Sequence, residues 1–394
     1  MAQDNDSPLE RRVLLVRGGI LSQYSGLGGA FHDLRTSLKD GHIHLWNYAG
    51  TEEYQLREGA SGLRRIFKRW FTHPKQVKAS IRKMHRNRSI DLVHISDQEQ
   101  AHLIPKHSPV PIVIYVHDFF HLFPKVLSLS DEQIEVGELH PPWYRRSDLK
   151  RLMKGISRAS GIICNTKATE IMCKKHFPNI PLYRIPYGLD VAKFSPPSQL
   201  PPAPEDLSPS TCNFLVVGSH DPRKRLNFLI RTLSQLPNET LHSIRIYHIG
   251  NDACPYGGLP ASEYAAQHGV PWTKVGGEVS DERLNLYRWH TEALLFPSGA
   301  EGFGYPPVES MAAGQPAIVS DCSAHNELMP EGHCLDAEDQ SKWCQAINDA
   351  HGRWLARNGS PRQPDMSLIQ HVDFLSPERF HNKMSQAWDE ISSL

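Results

Sequence analysis

Two doubly wound parallel-sheet domains, an α/β fold, are predicted by three observations. The chain has 394 residues, enough for two cores at roughly 150 residues per domain. Short apolar runs alternate with longer stretches of helical period, the βαβ pattern of a parallel sheet. A single proline-rich break separates two such series.

In chain order, the first series is Val13–Val16, Leu92–Ile95, Ile112–Val116 and Gly161–Cys164, each a short β-branched or apolar run. The break is Ser195–Pro209, whose prolines forbid regular structure and make a semi-extended connector. The second series is Phe214–Val217, Ile244–Ile249, Ala293–Phe296 and Ala317–Ser320. The domains are therefore expected at 1–200 and 201–374, with 375–394 left as a terminal helix. Ligands of open parallel sheets bind beyond the carboxyl ends of the strands, so two such domains facing one another would enclose a cleft.

Composition narrows the function. Lys plus Arg number 43 and Asp plus Glu 43, so no global field draws the chain to nucleic acid. Nowhere does an apolar run approach the roughly 18 residues of a spanning helix. The polar start, Met1–Pro8, lacks the basic-then-apolar order of a secretory signal, so a cytosolic protein is expected. The seven cysteines include no C-x-x-C pair and read as reduced packing residues.

The densest signal is Pro297–Asp321, which runs PSGAEGFGYPPVESMAAGQPAIVSD. Physically it is glycine loop, short helix, strand. Pro306 or Pro307 suits the first helical turn, and Gly314 with Pro316 ends the helix after about two turns. Gly302 and Gly304 let backbone approach a ligand closely, and the N–H groups of the loop and helix start, with Phe303 and Tyr305, form a cradle for phosphate. Glu309 can accept hydrogen bonds from a ribose diol, while Glu301 faces what lies beyond the phosphates. One acid for each end of a nucleotide sugar is the natural reading.

The pair Glu301 and Glu309 within this string resembles the E-x7-E motif of the family 4 retaining glycosyltransferases, which have the GT-B fold of two facing Rossmann-like domains. Further matches come in order. Arg184–Pro196 resembles the family's PxGxDxxxFxP run, Val216–Leu226 its diphosphate-binding segment with Gly218, Arg223 and Lys224, and Gly277–Tyr287 the stretch beside the nucleobase. The resemblance implies that the second domain binds a nucleotide-sugar donor, that the first binds the acceptor, and that the terminal helix returns to the first domain. In the family no protein nucleophile is established, and a β-phosphate oxygen is thought to help deprotonate the acceptor.

Arg223 and Lys224 would meet the charge that a departing nucleoside diphosphate gains, stabilising the transition state more than the ground state. No D-x-D motif follows a strand, so no metal and no cofactor is expected. Many relatives carry Arg where this chain has Ser219, so either Arg223 supplies that charge or the donor is gripped more weakly. In the first domain, the glycine-rich loop of Arg17–Gly29 leads into a helix, and Gly28 and Gly29 are assigned to donor or acceptor contact. His117, ending the apolar run Ile112–Val116, resembles the family's cleft histidine near the transferred sugar. The expected catalytic set is His117, Arg223, Lys224 and Glu301.

The EGFGxPPxE form resembles mannosyl and related hexosyl transferases, so GDP-mannose is the first donor expected and UDP-glucose the second. The acceptor is a saccharide, a lipid-linked sugar or a small molecule, and Ser130–Arg146 is a candidate for its side of the molecule. Ser61–Arg88 carries ten Lys or Arg and no acid. Its apolar positions Leu63, Ile66, Phe67, Trp70 and Phe71 recur at helical spacing before Pro74 opens a second helix with Val77, Ile81 and Met84 inward. Residues 63–71 either lie on an anionic bilayer, placing the protein at the inner membrane face, or pack on the sheet with a solvated basic face. Two rivals share the motifs: a GT-B nucleotide-sugar epimerase, and a silent scaffold that binds nucleotide. Nothing obliges a scaffold to keep Glu301, Glu309 and Lys224 together.

Overall fold

The computed structural model describes residues 10–19, 26–54, 62–129, 132–254, 257–277, 279–322 and 324–393. It divides into two compact units: 1–124, 137–188 and 377–394 form the first, and 125–136 with 189–376 form the second.

In the first unit six parallel strands make one sheet: β1 (Arg11–Val16), β2 (Trp46–Glu52), β3 (Leu92–Ile95), β4 (Ile112–Val116), and, after a hairpin of β5 (Lys125–Ser128) and β6 (Gln133–Val136) that belongs to the second unit, β7 (Gly161–Cys164) and β8 (Leu182–Arg184). Their spatial order is β2-β1-β3-β4-β7-β8. The central strands are buried on both faces, as expected of parallel strands covered by helices. The terminal helix Pro377–Ser392 completes this unit by burying Met384, Trp388 and Ile391. Trp388 meets Trp46 edge to face at 5.4 Å between ring centroids, and Asp389 accepts from both Arg11 (2.9 Å) and the Trp46 indole (3.0 Å).

The second unit repeats the architecture with β9 (Cys212–Val217), β10 (Ile244–Ile249), β11 (Trp272–Gly276), β12 (Ala293–Phe296), β13 (Ala317–Ser320) and β14 (Cys334–Leu335), ordered β11-β10-β9-β12-β13-β14 and all parallel. The order reverses between β9 and β12, whose pairing is limited to Phe214–Ala293 and Leu215–Leu294. Their last residues therefore lead into separate loops, and such a switch point opens a crevice at the strand ends.

The division falls before the proline-rich connector, at Gly188 and Leu189, and not near residue 200. The reason is hydrogen bonding: Leu189 N–H donates to Leu375 O (2.6 Å), Asn285 to Lys193 O (2.7 Å), and the Trp289 indole to Phe194 O (2.7 Å). These bonds tie residues 189–195 to the second unit. No helix among the described residues is long and apolar enough to cross a membrane.

Candidate active site

The loops after β9 and β12 carry the expected residues. Gly218 leaves β9 and accepts at its carbonyl from the His248 ring (2.7 Å), while a Cβ on Gly250 would come within 2.0 Å of that same oxygen. Only glycine fits there. Asp221 caps the next turn, accepting from Arg223 N–H (3.1 Å), and the turn Pro222–Lys224 ends at Arg225, which has a left-handed backbone (φ 56°). That conformation costs a non-glycine residue of the order of 1 kcal/mol or more. It is held because the fully buried Arg225 side chain donates to Glu132 (2.5 Å) and to Ala337 O (2.7 Å).

The β12 loop is laced to this turn. Gly299 N–H and the Ser298 hydroxyl both donate to Arg223 O, at 2.7 and 3.1 Å. Glu301 consequently lies between the cations. One oxygen accepts from Lys224 Nζ (2.5 Å) and Ser298 Oγ (2.6 Å), and the other pairs with the Arg223 guanidinium at 3.1 Å. Burial alone would raise the pKa of this carboxyl, but the charges of Lys224 and Arg223 prevail and hold it at about 2. At neutral pH Glu301 is an ionised acceptor and no acid. Ser219 is exposed, and Arg223 is the arginine whose guanidinium reaches the carboxylate here.

The helix Tyr305–Ala312 starts at Gly304, whose backbone (φ 102°) lies in the left-handed region and whose Cβ position would be 3.1 Å from the His325 ring. Phe303 is buried beneath Tyr305, the rings 5.2 Å apart. One turn into this helix, Glu309 pairs with Arg288, a fully buried guanidinium from the helix Asp281–His290. Arg288 is oriented in turn by Asn285 Oδ1 (2.7 Å) and by the face of Phe194 at 5.3 Å. Gly218, Arg223, Lys224, Glu301, Gly302, Phe303, Gly304, Tyr305 and Glu309 thus all stand on the loops at the β9–β12 switch point or on the short helix that follows.

Residues 42–193 match Glycosyltransferase Family 4, and residues 211–352 match Glycosyl transferases group 1. The chain belongs to the family 4 glycosyltransferases. An O-antigen chain mannosyltransferase of Salmonella typhimurium is 38% identical over 73 residues, 18% of this chain and 21% of that protein. The chain thus matches about a fifth of the length of that relative. A sucrose-phosphate synthase from Thermosynechococcus elongatus superposes over 97% of this chain and 99% of its own with a TM-score of 0.70 at 18% identity. HepE of Anabaena, in complex with UDP-glucose, superposes over 97% and 100% with a TM-score of 0.63 at 15% identity. These likenesses establish the GT-B fold.

Two residues of this cluster, Arg288 and Arg225, carry no mark in the sequence, whereas His325 opens the His325–Glu327 stretch that resembles the family's continuation of the Glu301–Glu309 motif. Arg288 follows directly on the Gly277–Tyr287 match, and only its pairing with Glu309 reveals it. Arg225 gives no signal beyond its place after Lys224. His325 donates from Nδ1 to Ser320 O (3.2 Å), and its buried Nε2 has no hydrogen-bond partner among the described residues.

In the first unit His117 ends β4 as expected and is buried. Its Nε2–H donates to Ser96 O (2.8 Å), which leaves Nδ1 to accept from the Tyr187 hydroxyl. Both ring nitrogens are thus engaged by protein, and burial lowers the imidazole pKa to about 4. Gly28 and Gly29 lie in the first turn of the helix Gly26–Lys39, while residues 20–25 of the expected loop lie outside the described residues.

The basic segment divides. Residues 62–67 form a helix with no buried residue, Leu63, Phe67 and Phe71 being 80%, 62% and 45% exposed. Trp70, by contrast, donates its indole N–H to Asp148 (3.0 Å), which also takes the Arg69 guanidinium at 2.9 Å. From His73 a regular helix buries Val77 and Ile81, with Met84 partly buried against the core, as the spacing predicted. Ser130 and Asp131 of the proposed acceptor segment lie outside the described residues, and Trp143, which opens the helix Trp143–Ile156, is 73% exposed.

Proposed function

We propose that this chain transfers a hexose from a nucleotide sugar to an acceptor with retention of configuration and without a metal. Mannose from GDP-mannose is the first expectation and glucose from UDP-glucose the second. The observation that carries the reading is the assembly of Lys224, Arg223 and Glu301 at the β9–β12 switch point. Glu301 keeps both cations in fixed positions before any donor arrives, so no reorganisation is needed when the diphosphate begins to leave. Glu309, oriented by Arg288, accepts from the ribose hydroxyls, and the N–H groups at the start of the following helix face the phosphates. The Salmonella mannosyltransferase supports mannose as the sugar, and the UDP-glucose complex of HepE supports a nucleotide-sugar donor.

His117, held by Ser96 and Tyr187, is assigned a place near the transferred sugar, and Gly28 and Gly29 at the start of the helix Gly26–Lys39 are assigned to donor or acceptor contact. The exposed line Leu63, Phe67 and Phe71, flanked by Arg64 and Arg65, suits an anionic bilayer surface. This favours a lipid-linked acceptor at the inner face of a membrane. Incubation of the purified protein with each sugar nucleotide and a lipid extract tests the reading. Release of nucleoside diphosphate together with a glycosylated lipid is expected. Inversion of a sugar carbon with donor alone and no release of nucleoside diphosphate would instead identify an epimerase.

A further inference from the structure

In the first unit a cavity of about 690 Å³ opens between the helices His73–Arg86 and Trp143–Ile156. Lys75 and Lys78 line it from one helix, Lys150, Arg151 and Lys154 from the other, and Lys106 and Arg158 complete the ring. The lining includes no Asp or Glu. None of the seven cations makes an ion pair among the described residues, and the two acids close by, Glu99 and Asp148, are engaged by Arg69 and Arg145. Trp70 and Phe71 supply an aromatic wall, with the Arg151 guanidinium 4.5 Å from the Trp70 ring centre.

Such crowding is unfavourable in the empty protein, because like charges converging on one cavity repel. It becomes favourable when a multiply charged anion enters, since charge-assisted hydrogen bonds to phosphate are the strong ones. The cations converge on one cavity instead of forming a long stripe, which argues for a compact phosphate and against a nucleic-acid backbone. Phe71 links this cavity to the exposed line of Phe67 and Leu63, their spacing of four residues setting them on one face. We propose that the cavity binds the diphosphate head of a membrane amphiphile, with its hydrocarbon running along Phe71, Phe67 and Leu63. What that ligand does rests on the proposed transfer to a lipid-linked acceptor; whether it binds does not.

Calorimetric titration with farnesyl diphosphate, inorganic pyrophosphate and a nucleoside diphosphate tests the proposal on three proteins: the wild type, the triple variant Lys78→Ala/Lys154→Ala/Arg158→Ala, and Lys224→Ala. Farnesyl diphosphate should bind the wild type and Lys224→Ala alike, and the triple variant at least about tenfold more weakly. Inorganic pyrophosphate should bind the cavity more weakly than farnesyl diphosphate, and nucleoside diphosphate should bind the triple variant as it binds the wild type. The ligand-free triple variant should melt no lower than the wild type, because its substitutions relieve repulsion. If it unfolds, Lys154→Gln alone, at an exposed position, replaces it and should still weaken farnesyl diphosphate.

Unchanged farnesyl diphosphate affinity in the cavity variants overturns the site, as does loss of binding only in Lys224→Ala. Equal affinity for pyrophosphate and farnesyl diphosphate would assign the cavity to free phosphates and overturn the amphiphile. Adhesion to phosphatidylglycerol vesicles without any binding of farnesyl diphosphate would mean a diffuse surface field and no site. Failure of every sugar nucleotide to support transfer, with cavity binding intact, would remove the proposed activity and leave the site standing.

Discussion

In the second unit the cations of the switch-point loops meet carboxylates: Lys224 and Arg223 meet Glu301, Arg288 meets Glu309, and Arg225 meets Glu132. In the first unit seven cations surround one cavity and meet none among the described residues. The difference teaches that fixed charge serves two purposes. Paired and buried, it preorganises a site whose geometry is set before substrate arrives. Unpaired at a surface cavity, it draws in a partner and is stabilised only when that partner binds.

The strongest way to break the contrast is to unpair the second unit. Glu301→Ala takes from Lys224 a carboxylate only 10% exposed and leaves Arg223 with Asp221 at 3.7 Å, and should cost about 3–5 kcal/mol of stability. Chemical denaturation reads this directly. A stability equal to the wild type would show that the cluster does not hold the loops together.

Acid should divide the units next. Burial lowers the His94 imidazole to about 3 and that of His117 to about 4, so below the ordinary value of 6.5 the unfolded chain takes up protons that the folded first unit refuses. Their contribution is complete above that value and is lost as pH falls toward 4, at about 1.4 kcal/mol per pH unit for each. Glu301 has the same sign in a lower window: its contribution is complete above the ordinary carboxylate value of 4.5 and is lost only as pH falls toward 2. Calorimetry at pH 7 and pH 5 should show both units melting earlier at the lower pH, the first by more, because burial also lowers His248 and His325 of the second unit. Melting of both units by equal amounts would contradict these assignments.

A smaller effect is expected from Glu309→Ala, which should weaken nucleoside diphosphate binding by about 1.5–3 kcal/mol through lost hydrogen bonds to the ribose. Unchanged affinity in a titration would remove Glu309 from the donor site. The smallest is expected from EDTA, which should leave transfer unaltered. Full loss, restored by Mg²⁺ or Mn²⁺, would overturn the metal-free reading.

Central strands were legible because burial on both faces demands continuous apolar runs, and Ile244–Ile249 and Ala293–Phe296 begin and end as read. The edge and outer strands were not. Trp46–Glu52 runs WNYAGTE and is mostly half-buried, so neither alternation nor an apolar run marks it. The hairpin of β5 and β6 has strands of only four residues each, though β6 alternates and buries Ile134 and Val136, and its link to the second unit includes Glu132 meeting Arg225, a contact across 93 residues of sequence. In the site, the glycines, prolines and acids of Pro297–Asp321 were legible because each needs a special backbone or charge. Arg288 was not, since a lone arginine on a helix resembles any solvated cation until its partner is known. The cations at 150, 151, 154 and 158 do carry helical periodicity, but only the facing helix turns that stripe into a cavity.

The terminal helix has a consequence for how the molecule is made. Trp388 packs against Trp46 on β2, while on β7 a Cβ on Gly161 would lie 2.5 Å from the Ile391 side chain. During synthesis from the amino end, the first unit therefore begins to emerge first and waits with an unfilled core until residues 377–394 appear. The second unit, whose residues end at 376, has all its parts earlier. Domains commonly close in the order in which they are translated; here the unit begun first is completed only after the second, and a chain without residues 377–394 would carry an open flank of apolar side chains into the cell.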